Sequence, residues 1–477
     1  MTLKRPVIHD VLAHRYASTA MLHLWSPEGR IVRERELWIA IMKAQRALGL
    51  DIPEEAISAY ERVAHQVDLE SIDARERLTR HDVKARIEEF CALAGVEHIH
   101  KGMTSRDLTD NVEQLQVRHS LELLRDKTVA ALAALAALSA RFRDTPLVAR
   151  THHVPAQPTT LGRRFAMYGE EILHGLQRLE STLAAYPLRG LKGAVGTRLD
   201  QITLMGGVDK AKKLEQAAAN RLGFAHVLEN VGQVYPRSLD FEVISAAYQL
   251  GAGLADFAKG VRLMTGHELV SEGFKKGQVG SSAMPHKMNA RNCERINGFQ
   301  TLLAGYLEMV SRLAGDQWNE GDVSCSVVRR VALPSAMFAL DGQLETFLTV
   351  LNEMEVFEAS LAAEVRRQLP FLATTTLMME AVKRGAGREA AHEIIKRHAV
   401  DVARELRNGL LAENDLARRL GKDGAFPLSQ TEVEALLANP SAFLGGAPEQ
   451  VDYFVAQVDQ VRAAHPHAAG YTPEAIV

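Results

Sequence analysis

Apolar residues recur at helical spacing along most of this chain, and one segment carries the pattern on two faces. Within residues 241–264, one apolar stripe consists of Leu250, Leu254, Phe257, Val261 and Met264. A second stripe, on another face, consists of Ile244, Tyr248, Gly251, Ala255 and Ala258. A helix that is apolar on two faces is buried among other helices, and its small residues allow neighbouring backbones to approach closely. The segment is therefore predicted to be a central helix of a bundle.

Further segments show the same periodicity, whereas the alternation typical of β-strands is scarce. They span residues 110–143, 161–186, 293–313 and 331–351. The pattern predicts an all-α protein with a central bundle of long helices. Because 477 residues exceed what one core accommodates, we expect three helical domains. Their predicted bounds are 1–107 for an N-terminal helical domain, 108–360 for the central long-helix bundle and 361–477 for a C-terminal helical domain.

The charge and cysteine content of the chain argue against several functions. A net charge of −3 gives no global attraction to nucleic acid or to an acidic membrane, so any anion site has to be built locally. The longest apolar stretch, residues 129–140, is shorter than the roughly 20 residues that a bilayer requires. Residues 1–10 lack the apolar core of a signal peptide. The cysteines form neither a disulfide framework nor a zinc pattern. We therefore expect a cytoplasmic protein with no nucleic-acid or membrane partner.

The segment Gly280–Asn289 interrupts this helical pattern with polar and conformationally special residues. It holds two adjacent serines, a proline, a histidine, a lysine and an asparagine, and packing does not explain that composition. Such a segment is either a mobile linker or a loop shaped to hold an anion and present a nucleophile or base. The long helical segments on both sides favour the second interpretation.

Residues 150–160 precede a predicted helix and contain two histidines and two prolines. His152 and His153 are acid–base candidates because histidine exchanges protons near neutral pH. Thr159 or Thr160 is suited to cap the following helix. The alternative is a rigid approach loop whose histidines lie at the surface without a catalytic role.

Two further motifs are open to a structural or a functional interpretation. Arg80, His81 and Asp82 place a cation, an imidazole and a carboxylate in series, which either bind an anion or form a solvated helix start. The hydroxyls of Thr104 and Ser105 either cap a helix or bind a carboxylate. The spacing of the histidines gives only weak support for a metal site, so no metal is expected.

Taken together and in order, these motifs resemble one enzyme family. The segment 280–289 is similar to the signature loop of the fumarase/aspartase superfamily, and its Ala-Met-Pro-His-Lys form resembles the adenylosuccinate lyase family. The other matching motifs are Arg15-Tyr16-Ala17-Ser18, Arg80-His81-Asp82, Thr104-Ser105 and residues 151–160. The resemblance implies a fumarase/aspartase-like all-α fold, no cofactor, and a homotetramer whose active sites are each shared by three subunits.

The resemblance also implies an elimination reaction and roles for named residues. The implied reactions release fumarate from adenylosuccinate, giving AMP, and from SAICAR, giving AICAR, in purine nucleotide biosynthesis. Ser281 would be the general base and His152 the general acid. A serine alkoxide needs a preorganised positive environment, for which Lys287 is suited. His81 would assist at the substrate, and Glu294 would orient His152.

Substrate contacts follow from the same motif-by-motif resemblance. The implied nucleotide contacts are Arg15, Tyr16, Arg80, Asp82, Arg295, Ser326 and Arg330. The implied contacts of the succinyl part are Thr104, Ser105, Ser282, Lys287 and Asn289.

The chain departs from the family pattern at a few positions. Arg198 stands where many relatives have a glutamine, for which Gln201 is a possible substitute. Gly321 stands where some relatives have a phosphate-binding arginine, and Arg329 is a candidate replacement. Ala290 replaces the proline that usually follows Asn289.

Two other functions compete with this assignment. One is another lyase of the superfamily, such as argininosuccinate lyase or fumarase, against which the Arg15-Tyr16 and Arg80-His81-Asp82 motifs argue. The other is a non-catalytic structural protein, like the lens crystallins related to the superfamily. The presence of Ser281, His152, Lys287 and Glu294 argues against lost activity.

Overall fold

Helices form most of the regular structure in a computed structural model that describes residues 9–273, 284 and 286–474. The first helices are α1 (Val11–Arg15), α2 (Thr19–Trp25), α3 (Pro27–Ala47), α4 (Glu54–Val63), α5 (Leu69–Thr79) and α6 (Asp82–Ala94). The next are α7 (Ser105–Arg141), α8 (Leu161–Ala185), α9 (Leu199–Met205), α10 (Val208–Arg221), α11 (Ser238–Gly266), α12 (Arg291–Ser311) and α13 (Cys325–Glu353). The last are α14 (Glu358–Leu372), α15 (Thr374–Lys383), α16 (Arg388–Arg407), α17 (Leu416–Lys422), α18 (Gln430–Leu437) and α19 (Ala447–Ala464), with a 3₁₀ helix at Pro440–Phe443. The short strands are β1 (Pro146–Thr151), β2 (Val154–Thr160), β3 (Val270–Ser271) and β4 (Glu355–Val356). The all-α prediction is confirmed.

The helix α11 lies at the centre of a bundle and packs against α8, α12 and α13. Its two apolar stripes are buried, apart from Tyr248, which is partly buried. At Gly251 side chains of the neighbouring helices pack closely against the backbone, and the Gln343 side-chain amide donates hydrogen bonds to the carbonyl oxygens of Gly251 and Ile296 at 3.1 Å each. A Cβ atom at Gly251 would lie 2.6 Å from the amide oxygen of Gln343. The prediction of a central two-faced helix is confirmed.

The long helices occupy the predicted segments, with shifted starts. The helix predicted at 110–143 begins at Ser105, and the one predicted at 331–351 begins at Cys325. Thr160 caps α8, because its hydroxyl accepts a hydrogen bond from the backbone N–H of Arg163 at 3.0 Å. A capping box at Ser429 begins α18.

Clusters of buried apolar residues group the helices, and distant parts of the chain contribute to the same cluster. The largest cluster fills the central bundle and includes residues of α19, which packs against α7 and α8. A second cluster, around Trp38 and Phe90, includes Leu214 of α10. A third cluster unites α15 to α18. The domain bounds at residues 107 and 360 stay a prediction, because α10 and α19 pack across them.

No helix within residues 9–273, 284 and 286–474 combines the length and apolarity required to span a bilayer.

Candidate active site

His152 lies at the tip of a β-hairpin that the sequence pattern did not indicate. The strands β1 and β2 pair antiparallel, and Thr151 faces Val154 across a two-residue turn. The turn residues His152 and His153 have φ angles of +51° and +63°. Two positive φ angles are typical of a type I′ turn, which favours Asn-Gly. Residues other than glycine or asparagine are strained there by about 1 kcal/mol or more. A histidine pair at this turn is therefore a candidate for function.

Elements on two sides hold this hairpin. Arg150 of β1 forms an ion pair with Glu364 of α14, a carboxylate that is 7% exposed. Val148 packs in a small buried cluster with apolar residues of α14. The His153 ring lies 5.6 Å from the ring of His267, which caps α11. The position of His152 therefore depends on α14 and on the end of α11.

The residues predicted as general base and as a succinyl contact, Ser281 and Ser282, lie outside the described residues. The structure describes the residues on both sides of the segment that contains them, and the carboxylate of Glu272 links these two sides. This carboxylate accepts hydrogen bonds from the backbone N–H groups of Asn292 and Cys293 at 2.9 Å each, and it is 4% exposed. Burial raises the pKa of Glu272 above its ordinary value, and the two backbone hydrogen bonds oppose that rise. Glu272 thereby fixes the start of α12 beside β3.

A cavity of about 700 Å³ opens between the end of α11 and the start of α12. The predicted site residues Lys287, Asn289 and Glu294 line it, together with Lys259 and Arg262. Three cations against one carboxylate make this cavity electropositive, which suits an anionic ligand. A second cavity of about 750 Å³, between α3, α7 and α10, contains none of the predicted residues.

Tyr16 and Arg295, which are far apart in the sequence, lie together. The Arg295 guanidinium is 5.3 Å from the centroid of the Tyr16 ring, and the Phe299 ring packs edge-on against Tyr16 at 5.2 Å. Gly342 of α13 permits this approach, because a Cβ atom there would lie 2.9 Å from the Cβ atom and the carbonyl oxygen of Tyr16. A cation beside an aromatic face forms a surface suited to a planar anionic ligand. The neighbouring Arg15 is exposed.

The Arg80-His81-Asp82 motif joins two helices of the N-terminal region. Arg80 ends α5 with a φ angle of +53°, and His81 caps α6. The Nδ1 atom of His81 accepts the backbone N–H of Lys84 at 3.3 Å, so the Nε2 atom carries the proton of the neutral ring. Partial burial acts to raise the pKa of Asp82, but the Arg86 guanidinium at 3.1 Å holds that pKa below its ordinary value. His81 remains half exposed at 52%.

Thr104 and Ser105 begin the longest helix of the bundle. Asp107 accepts the backbone N–H of Thr104 at 2.9 Å, and its other oxygen accepts hydrogen bonds from Arg189 at 2.7 Å and from the backbone N–H of Lys192 at 2.9 Å. Thr104 is the N-cap residue of α7 and forms a capping box with Asp107, which agrees with the capping interpretation. The two hydroxyls also lie at a helix N-terminus, where an anion is favoured. Binding of a carboxylate there stays a prediction.

Comparisons with known proteins address the same segments. The family model described as lyase matches residues 21–305, and the model described as adenylosuccinate lyase C-terminus matches residues 370–454. The adenylosuccinate lyase of Saccharomyces cerevisiae is 34% identical over 95% of this chain and 95% of that protein. The adenylosuccinate lyase of Schizosaccharomyces pombe is 33% identical over 98% of this chain and 97% of that protein. The chain belongs to the adenylosuccinate lyase family. It is therefore a lyase.

A solved structure supports the fold of this family member. The 3-carboxy-cis,cis-muconate lactonizing enzyme from Pseudomonas putida superposes with a TM-score of 0.79 at 23% identity, covering 95% of this chain and 100% of that chain. At that identity, the likeness concerns the fold alone. It agrees with the fumarase/aspartase-like architecture.

One expected departure from the adenylosuccinate lyase pattern has a structural role here. Arg198 is 7% exposed and forms ion pairs with Glu215 at 2.9 Å and with Glu229 at 2.7 Å. Gln201, considered as a substitute contact, is 2% exposed and donates to the carbonyl oxygens of Lys101 and Gly102. Its amide therefore supports the loop that precedes Thr104, which argues against Gln201 as the substitute contact.

The structure likewise argues against Arg329 as a phosphate contact in this family member, because the side chain is 2% exposed. Its guanidinium is buried and contacts Glu113 at 2.7 Å, Asp240 at 2.7 Å and the hydroxyl of Tyr235. These partners engage all three nitrogens of the guanidinium, so Arg329 joins α7, α11 and α13. At Gly321, a Cβ atom would lie 2.7 Å from the Cβ atom of Gln233, so a larger residue there would require a local shift.

The remaining predicted contacts occupy the first turns of α13. Ser326 is half-buried, and Arg330 is exposed. Among the hydrogen bonds and ion pairs of the described residues, none joins Glu294 to His152 within one protomer. The role of Glu294 in orienting His152 stays a prediction.

Sequence reasoning missed Lys259, Arg262 and Glu272. The first two follow the apolar stripes of α11 as polar residues on its last turns, a signal present in the sequence. Glu272 gave no such signal, because its partners at the start of α12 are defined only by the fold.

In the described part of the chain, no cluster of three or more His, Cys, Asp or Glu side chains has a geometry that would hold a metal ion.

Proposed function

We propose that this lyase releases fumarate from adenylosuccinate, giving AMP, and from SAICAR, giving AICAR, in purine nucleotide biosynthesis. The observation that carries the proposal is the electropositive cavity lined by Lys287, Asn289 and Glu294, in a chain that is 34% identical over 95% of its length to a yeast adenylosuccinate lyase. An excess of cations suits substrates that combine a phosphate with two carboxylates.

The proposed chemistry is a β-elimination with separate base and acid. Ser281 removes the proton from the succinyl carbon next to a carboxylate, and the electron pair of that C–H bond forms the carbon–carbon double bond of fumarate. The carbon–nitrogen bond breaks, and His152 donates a proton to the leaving nitrogen. Lys287 stabilises the negative charge that develops on the carboxylate. His81 assists at the substrate.

We assign the binding of the substrate to two sets of residues. The nucleotide set is Arg15, Tyr16, Arg80, Asp82, Arg295, Ser326 and Arg330. The succinyl set is Thr104, Ser105, Ser282, Lys287 and Asn289. The contact of Arg295 with Tyr16 supports the first set, and the shared cavity of Lys287 and Asn289 supports the second.

We further propose that the enzyme is a cytoplasmic homotetramer whose active sites are shared between subunits. The exposed position of His152 on its hairpin, separate from Glu294, supports this assembly. A site that needs both residues is then completed by a neighbouring chain.

The function is tested by adding adenylosuccinate to the purified protein and following its absorbance. We expect conversion to AMP and fumarate without any added cofactor, and the same protein should release fumarate from SAICAR. A folded protein that leaves adenylosuccinate unchanged would refute the assignment. Argininosuccinate and fumarate serve as control substrates, and turnover of one of these instead would point to another lyase of the superfamily.

A further inference from the structure

A buried cluster of three charges lies close to the segment that carries Tyr16. The side chains of Lys127 on α7 and of Asp341 and Glu345 on α13 are 0% exposed. Lys127 forms ion pairs with Asp341 and, at 2.7 Å, with Glu345. Since one cation faces two carboxylates, the cluster requires additional hydrogen-bond donors to remain buried.

Residues 465–474, which we term the return segment, follow α19 and supply two of those donors. The Tyr471 hydroxyl donates to one oxygen of Glu345 at 2.5 Å. The backbone N–H of Glu474 donates to the other oxygen at 2.6 Å. His465 bonds to a carboxylate of α8 at 2.8 Å, which attaches the beginning of the segment to the bundle.

The same cluster and the same segment hold the residues that follow Tyr16. The backbone N–H of Ser18 donates to Asp341 at 2.6 Å, and its hydroxyl accepts a hydrogen bond from Lys127 at 2.7 Å. The Glu474 side chain accepts hydrogen bonds from the backbone N–H and the hydroxyl of Thr19, at 3.0 and 2.9 Å. The return segment therefore reaches the start of α2 both directly and through the buried cluster.

We propose that the return segment positions Arg15 and Tyr16 for nucleotide binding. Lys127 is shared by Ser18, Asp341 and Glu345. Loss of the Tyr471 hydroxyl removes a hydrogen-bond donor from the Glu345 oxygen that also faces Lys127, so that oxygen attracts the ammonium more strongly and draws it away from Ser18. Tyr471 is thus a positioning residue that acts through the cluster and does not touch substrate. The inference rests on the proposed function, in which Arg15 and Tyr16 contact the nucleotide.

The kinetic test uses Tyr471→Phe, with Tyr453→Phe as the matched control because Tyr453 is an exposed residue of α19. A hydrogen bond to a charged group contributes enough that its loss should raise KM for adenylosuccinate about tenfold, with kcat changed less than about twofold. Glu474→Ala, which removes the surface contact with Thr19, should raise KM in the same direction. The control should leave both constants unchanged.

Hydrogen–deuterium exchange provides a measurement that does not depend on activity. In Tyr471→Phe, the backbone amides of residues 16–21 should exchange faster, while those of α4 should keep their wild-type rates. Wild-type exchange at residues 16–21 together with an unchanged KM would overturn the proposal, as would a uniform increase along the whole chain. If the wild-type protein does not convert adenylosuccinate, the proposed function fails, and the exchange pattern still decides whether the return segment holds these residues.

Discussion

The Arg295 guanidinium lies 5.3 Å from the centroid of the Tyr16 ring, so two residues from distant parts of the chain form one surface. The family resemblance implies nucleotide binding for both residues. Their contact depends on Gly342, where any larger residue would collide with Tyr16. A planar guanidinium next to an aromatic ring presents fixed donors and a flat face to the same ligand.

Replacing Arg295 by lysine should therefore weaken substrate binding although the charge is kept. Lysine lacks the planar donor fork, and we expect KM for adenylosuccinate to rise about tenfold or more, in line with the loss of one charge-assisted hydrogen bond. Steady-state kinetics at constant ionic strength would measure this. Arg291→Lys is the matched control, because Arg291 lies one turn earlier on α12 and is exposed. Equal effects of the two substitutions would contradict a specific contact by Arg295.

The two histidines of the hairpin turn allow a comparison of neighbouring residues in similar backbone conformations. His152→Asn should lower kcat by about 10²–10⁴-fold, the usual contribution of a general acid. His153→Asn should leave kcat within a few-fold of wild type. Because asparagine tolerates positive φ better than histidine, both variants should fold with an unchanged or slightly raised melting temperature. Similar kcat losses in the two variants would show that the turn, and not the His152 side chain, limits the reaction.

The long helices could be predicted because their apolar periodicity is set locally and extends over many turns. The hairpin of β1 and β2 could not. Its second strand contains Pro155 and Pro158 and shows no alternation, and its turn has histidines where Asn-Gly is usual. The packing of α14 against it is a tertiary contact that no local pattern reveals.

Charged residues gave the least reliable predictions, because their roles depend on partners far away in the sequence. Arg329 was a candidate for phosphate binding until the fold placed Glu113 and Asp240 against it. Lys127 lies in an alanine-rich helix and gave no sign of its pairing with Asp341 and Glu345 on another helix. The signature segment was recognisable from residue types alone, since that composition is unusual between two segments of helical apolar periodicity.

The stability of the protein should decrease below about pH 6.5 because of two partly buried histidines. Burial lowers the pKa of His100 to about 4, with His81 adding to the effect and Asp107 opposing it. Burial and the charges of Arg33 and Arg118 lower the pKa of His119 to about 4. Both rings favour the neutral form in the folded state, so their contribution to the free energy of unfolding is complete above pH 6.5. It is lost as the pH falls from 6.5 towards 4, by up to roughly 3 kcal/mol for each ring.

Urea unfolding between pH 7.5 and 4.5 measures this loss. In His119→Gln, the free energy of unfolding should fall less steeply with decreasing pH than in wild type, because one titrating ring is gone. His65→Gln replaces an exposed histidine that lines the cavity between α3, α7 and α10, as His119 does, and it should keep the wild-type slope. Identical slopes in all three proteins would contradict the role of the buried ring.

Sharing of active sites between subunits predicts that two inactive variants restore each other. A mixture of His152→Ala and Ser281→Ala subunits, dissociated and reassembled, should regain activity, because about one site in four then combines an intact His152 from one chain with an intact Ser281 from another. Fumarate release before and after reassembly measures the gain. The control is a mixture of Ser281→Ala with the double variant His152→Ala/Ser281→Ala, which contains no intact Ser281 and should stay inactive. If His152 and Ser281 of one chain served the same site, reassembly of the first mixture would restore nothing.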